Sequence, residues 1–213
     1  NSSLVNFTLL SPNNSGARTH AIDRITPHCV VGQASVESLG NLFAKPSRKA
    51  SSNYGIGEAG RVGMYVEEIN RSWCSSSPEN DHRAITIEVA NDICGGEWHV
   101  GDVALEKTIE LCVDICLRND IPELVYTGDT TGNLTMHRWF SATLCPGPYL
   151  ASKFPYIANE VNKRLGKTEQ PAIQNKLYRV QCGAFRNRNN AEALMKRLET
   201  AGFDSFIVEV ETN

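Results

Sequence analysis

Ala84-Ile85-Thr86-Ile87-Glu88-Val89-Ala90 is the stretch from which the fold can be read. Its β-branched side chains suit a pleated surface, and its nearly continuous apolar character predicts a strand inside a sheet covered on both faces. One carboxylate, Glu88, stands in its interior, where burial without a partner is costly. A companion stretch, Ile22-Asp23-Arg24-Ile25-Thr26-Pro27-His28-Cys29-Val30-Val31, alternates and then turns apolar, which predicts a second inner strand with His28 near its carboxyl end. Beyond the Gly95-Gly96 break, residues from Asp102 to Arg118 set Leu105, Ile109, Cys112 and Cys116 at helical spacing between charges. That is a helix to cover the sheet, with Cys112 and Cys116 as small core hydrophobes.

A short helix is predicted from Ser35 to Phe43 with Ser35 as N-cap, and a hairpin from Ser52 to Gly57 and Val62 to Val66. Leu124 to Thr127 reads as a further strand and Tyr149 to Leu165 as an amphipathic helix. Interleaved strands and helices predict an α/β domain over residues 1–166, a mixed central sheet flanked by helices. The polar stretch 167–175 has no period and reads as a linker. Residues 176–213 then predict one βαβ unit: a strand from Leu177 to Cys182, a helix capped by Asn189 or Asn190 with Ala193, Leu194 and Leu198 inward, a stop at Gly202, and a strand from Phe206 to Val210. So short a unit is expected to need a partner surface.

The chain has 213 residues, 41% hydrophobic and 21% charged, the balance of an ordinary folded protein. A net charge of -3, with no run of like charges, argues against nucleic acid as a partner. No apolar stretch is long enough to span a bilayer, so no membrane partner is expected. The opening residues lack the features of a signal peptide, which predicts synthesis in the cytoplasm without a visible export signal, although a chain that starts without Met leaves a removed leader open. Seven scattered cysteines read as reduced thiols rather than a disulfide scaffold.

Three residues together carry the pattern of a catalytic zinc site. They are His28 at a strand end, His137 in Thr135-Met136-His137-Arg138-Trp139, and Cys145 opening the turn Cys145-Pro146-Gly147-Pro148. Catalytic zinc takes three protein ligands and keeps a fourth position for water, which it makes acidic enough to ionise near pH 7. Singly, each residue reads as a packed histidine or core thiol; their combination points to metal. Neighbours on a strand face opposite ways, so Cys29 is not expected to share a metal with His28. His20, His82 and His99 read as surface imidazoles.

Over residues 20–165 the sequence resembles the type 2 N-acetylmuramoyl-L-alanine amidase family of phage endolysins, autolysins and peptidoglycan recognition proteins. His28, His137 and Cys145 match its zinc ligands in order; Ser51-Ser52-Asn53-Tyr54 with Gly60-Arg61-Val62 is similar to its hairpin; Arg71-Ser72-Trp73-Cys74 resembles its Ala-Trp-His stretch; Ala84 to Glu88 resembles its Ser-Ile-Gly-Ile-Glu strand. The resemblance implies a Zn2+-dependent hydrolase that cuts the amide between N-acetylmuramic acid and L-alanine in bacterial peptidoglycan and acts at the cell wall. The family's frequent catalytic Tyr falls at Ser52, and the Lys of some members at Thr143. Glu88 is therefore the expected general base, Thr143 a second catalytic candidate, and Asn53 and Trp73 the expected substrate contacts.

The alternative is a non-catalytic peptidoglycan-binding protein, against which the presence of Cys145 counts. A cysteine peptidase built on Cys145 and His137 would leave His28 and Glu88 without roles. The tail, through Tyr178-Arg179-Val180-Gln181-Cys182-Gly183-Ala184-Phe185, resembles half of a SPOR domain, a module that binds glycan strands stripped of stem peptides. Half a domain implies either an atypical module or a homodimer in which two tails pair; a docking element packed on the amidase is the plainer alternative.

Overall fold

The computed structural model describes residues 1–166 and 181–209. The chain separates into two compact units, Asn1–Ile173 and Gln174–Asn213. The strands of the first are β1 (Val5–Thr8), β2 (Asn14–Ala17), β3 (Arg24–Cys29), β4 (Tyr54–Ile56), β5 (Val62–Met64), β6 (Asn70–Ser72) and β7 (Ala84–Val89). Five of them form a mixed sheet in the order β1-β5-β4-β7-β3, in which only the predicted hairpin, β4 with β5, runs antiparallel. β2 and β6 make a separate antiparallel ribbon. The helices are α1 (Val36–Phe43), α2 (Pro78–Arg83), α3 (Asp102–Arg118) and α4 (Gly147–Arg164).

The two-residue period of β7 divides its side chains between two environments. Ile85, Ile87 and Val89 enter the main core with Ile25, Ile56, Ile109, Ile115 and Phe154, under α3 and α4. Each such side chain, removed from water, contributes about 1.5–3 kcal/mol. Cys112 and Cys116 are buried here as core thiols. A second cluster places Leu39 and Phe43 of α1 against Tyr65. Tyr65 lies across the hairpin, and a Cβ on Gly63 or Gly55 would come within 2.4 or 2.7 Å of its ring or hydroxyl. Glycine is required at both positions for this close approach. Ser35 caps α1 as expected, its side chain accepting from the Ser38 N–H.

β3 differs from expectation: it is the edge of the sheet, not an inner strand. Its six residues are nonetheless buried, because Asn133–Thr135 runs alongside. The Ile25 N–H donates to the Asn133 carbonyl at 2.8 Å, and the Thr135 N–H to the Ile25 carbonyl at 3.0 Å. That segment does the work expected of Leu124–Thr127, which is not a strand. The Val125 carbonyl instead accepts from the N–H groups of Asn133 and Leu134, and the Asn162 amide satisfies Leu124 through both its N–H and carbonyl. With those groups taken, no ladder can form.

In the second unit, α5 (Arg188–Thr200) is capped by Asn187, whose Oδ1 accepts from the Asn189 N–H at 2.9 Å, a cap slightly earlier than the sequence suggests. Gly202, with φ of 85°, ends it as expected. Leu194 and Leu198 are half-buried, whereas Ala193 is exposed, not inward. The predicted strand from Phe206 is irregular over 206–209, and Gln181 and Cys182 are not in a strand. A lone strand has no ladder partner among the described residues. The predicted linker, 167–175, and most of the first tail strand lie outside the described residues.

Candidate metal and catalytic site

His28 and Glu88 are register partners on β3 and β7, so two residues sixty apart in sequence meet on the sheet face away from the main core. The loop between Asn133 and α4 brings in the other two donors. Ring nitrogens of His28 and His137 and the Cys145 thiol lie within 4.8 Å of one another. The His28 and His137 ring centroids are 4.8 Å apart, and Cys145 Sγ is 3.4 Å from His28 Nδ1. Ligands held tetrahedrally at 2.0–2.3 Å would sit about 3.3–3.8 Å apart; the 3.4 Å pair falls in that range, and the third donor, within 4.8 Å of the others, would reach a shared ion by a small side-chain movement.

The donor chemistry fits as well. Nε2 of each histidine is buried with no hydrogen-bond partner among the described residues. Burial, and then the charge of His137, hold His28 well below the ordinary histidine range; burial also lowers His137, against a hydrogen bond to the Ser75 carbonyl. Both rings are thereby kept neutral, as a metal ligand must be. Without an ion, a hydrogen bond with Cys29, burial and the Glu88 charge push the Cys145 thiol far up. Such a thiol ionises when a cation supplies the opposing charge.

The surroundings fix these side chains. Asp81, on α2 and fully buried, accepts from the Cys74 and Ser75 N–H groups and from Ser75 Oγ. Ser75 in turn accepts from the His137 ring, leaving Nε2 for a ligand. Thr143 Oγ1 accepts from the Cys145 N–H at 3.2 Å and so aims the turn. Glu88 is raised to about 7 by burial, against the lowering effects of the Cys74 thiol and the nearby Arg48 charge. The Cys74 thiol donates to Glu88 Oε1 at 3.7 Å, while Oε2 is buried and has no partner among the described residues.

The site therefore joins four predicted residues, His28, His137, Cys145 and Glu88, with Thr143 holding the cysteine turn. Trp73 is half-buried at its edge, its N–H donating to Ser51 Oγ at 3.0 Å and its indole N–H to Ser15 Oγ at 2.6 Å. Asn53 is a correction. It is fully buried, its Oδ1 accepts from Arg18, Ser72 and the Thr86 N–H, and its Nδ2 donates to Val66 O. It ties β4 to β6 and β7 and has no surface to offer a substrate. Ser52, at the family's Tyr position, is buried and donates to the Tyr54 carbonyl at 2.7 Å.

Sequence reasoning missed three residues. Cys29 reaches the Cys145 thiol despite its place beside His28, because it closes β3 and alternation constrains only the strand interior. Cys74 makes a second donor group with His28 and Glu88; the signal was a thiol where the resembling stretch has histidine. Asp81 carries no sequence signal, since its partners are two backbone N–H groups and one serine hydroxyl in the loop before α2.

Comparison with known proteins decides the family. The profile described as N-acetylmuramoyl-L-alanine amidase matches residues 18–148. The chain belongs to the N-acetylmuramoyl-L-alanine amidase family. It is an amidase by class, and peptidoglycan is its class of partner. The SPOR domain profile matches residues 174–213. Among solved structures, a mutant endolysin from Bacillus subtilis is 16% identical with a TM-score of 0.59, covering 74% of this chain and 99% of its own. A selenomethionine AmpD derivative is 16% identical with a TM-score of 0.56, covering 74% and 96%. The amidase LysC from Clostridium intestinale is 14% identical with a TM-score of 0.51, covering 76% and 97%. At such identities the likeness speaks for the fold, a mixed sheet flanked by helices. No curated protein sequence matches the chain. Among the described residues no helix is long and apolar enough to cross a membrane.

Proposed function

We propose that this amidase uses one Zn2+ ion, held by His28, His137 and Cys145, to cut the bond between N-acetylmuramic acid and L-alanine, with Glu88 as general base. The observation that carries the reading is the three-donor group beside a buried carboxylate with one free oxygen. Zinc supplies Lewis acidity and makes water nucleophilic at neutral pH. Glu88 Oε2 takes the proton of the attacking water and returns it to the alanine nitrogen, which leaves only when protonated. The Cys74 thiol occupies Oε1 and so orients the carboxylate. Thr143 serves chiefly by fixing Cys145, and Trp73 borders the substrate.

The reading extends to the whole chain as a catalytic domain over 1–166, a linker over 167–175 and a glycan-binding segment over 176–213, with action at the cell wall. Exposed Phe203, Phe206 and Val208 on the tail support a homodimer in which two tails pair. Zinc content, with mass analysis of products from purified peptidoglycan, tests the central claim: release of free stem peptides starting with L-alanine is expected. Full turnover in chelator-stripped protein would overturn it.

A further inference from the structure

Beside Glu88 stands a basic turn to which the proposed chemistry gives no task. Lys45, Arg48 and Lys49 are exposed, and none of the three makes a salt bridge among the described residues, whereas Arg61, Arg83, Arg118 and Arg164 each meet a carboxylate. Pro46–Arg48 forms a 3-10 turn that is firmly held. Asn13 Nδ2 donates to the carbonyls of Phe43 at 3.0 Å and Lys45 at 2.9 Å, and Ser51 Oγ donates to the Asn13 carbonyl at 2.5 Å. Ser51 also joins the turn to the site wall: its N–H donates to the Trp73 carbonyl at 2.9 Å, and the Trp73 N–H returns to Ser51 Oγ at 3.0 Å. The next residue, Cys74, touches Glu88.

This arrangement sets a cationic rim next to an aromatic edge, on a backbone tied down by the hydrogen bonds of Asn13 and Ser51. Among the described residues Arg48 makes no hydrogen bond to Glu88, whose Oε2 has no partner and whose Oε1 is taken by Cys74. Its planar fork of donors is suited to a carboxylate that arrives with the ligand. In peptidoglycan the residue after the alanine is a glutamate linked through its side chain, so its α-carboxyl is either free or converted to a carboxamide.

We propose that Arg48, supported by Lys45 and Lys49, reads the free α-carboxylate of the stem-peptide residue that follows the alanine. The inference rests on the amidase reading of the site and deepens it to a substrate preference. The test uses the zinc-loaded full chain and two soluble N-acetylmuramoyl tripeptides that differ only in that carboxylate or carboxamide.

The wild type should prefer the carboxylate by about tenfold in kcat/KM, mostly through KM, the worth of one charge-assisted hydrogen bond at a partly open rim. Arg48→Gln should bring the ratio near one, and Arg48→Lys should leave an intermediate ratio. The same contrast should appear when the two peptides are titrated calorimetrically into zinc-free protein. A ratio kept intact in Arg48→Gln, even with both rates lowered, would overturn the inference, because Arg48 would then act through Glu88. No preference in the wild type would do the same while leaving the amidase reading standing. Cleavage of neither peptide would overturn the amidase reading and this inference with it.

Discussion

Replacing Glu88 by Gln should slow the enzyme and, in the absence of metal, stabilise the fold at alkaline pH. The substitution keeps the shape of the side chain and the acceptor facing Cys74, but removes the proton-accepting carboxylate. Burial lifts the Glu88 pKa from 4.5 to about 7. Below pH 4.5 the group is protonated whether the chain is folded or unfolded and contributes nothing. As pH rises toward 7 the unfolded chain ionises freely while the folded one resists, so wild-type stability falls across that window and then levels. A shift of this size is worth about 3 kcal/mol when fully expressed; because the residue is partly open to solvent, about 1–3 kcal/mol is expected. Urea unfolding of zinc-free wild type and Glu88→Gln should therefore agree near pH 4 and diverge at pH 8 in favour of the variant. With zinc restored, metal content should be unchanged and turnover lower by roughly 10²–10⁴-fold, the usual worth of a general base. A variant as fast as the parent, or equal stabilities at both pH values, would refute the assignment.

Cys145→Ser and His137→Ala should each abolish stoichiometric zinc, measured by mass spectrometry, together with activity, since a three-ligand site tolerates little loss. Glu68 is nearly buried and accepts from both Arg118 guanidinium nitrogens at 2.6 Å and from the Tyr54 hydroxyl at 2.6 Å. Burial alone would raise its pKa, but these donors outweigh it and hold the carboxyl below 4.5. Its stabilisation is present above the unfolded pKa and lost as pH falls through the folded one, so Glu68→Gln should cost about 2–4 kcal/mol at pH 7 and less near pH 3 by chemical denaturation. Removal of residues 167–213 should convert a dimer to a monomer in sedimentation and weaken binding to stem-stripped glycan, while sparing cleavage of small muropeptides. A full-length monomer that still binds glycan would sink the tail-pairing proposal.

The sequence by itself determined the elements with strong periodicity: β7 from its β-branched run, α3 from its charges at helical spacing, and α1 from Ser35 before an apolar face. It also singled out His28, His137, Cys145 and Glu88, because two histidines, a cysteine before a tight turn and a strand-borne carboxylate form in combination a pattern that none of them carries singly. What it left to the tertiary structure is whatever depends on backbone partners. Leu124–Thr127 has the composition of a strand, yet its hydrogen bonds go to Asn133, Leu134 and Asn162, and only the folded chain settles which segment flanks β3. Asn53 stands in the stretch that resembles the family's hairpin, which implies a substrate contact, but burial turns its amide into a tie between three strands. Asp81 takes its place from the Cys74 and Ser75 N–H groups and the Ser75 hydroxyl, and Cys74 from Glu88 on β7; periodicity carries no information about such neighbours.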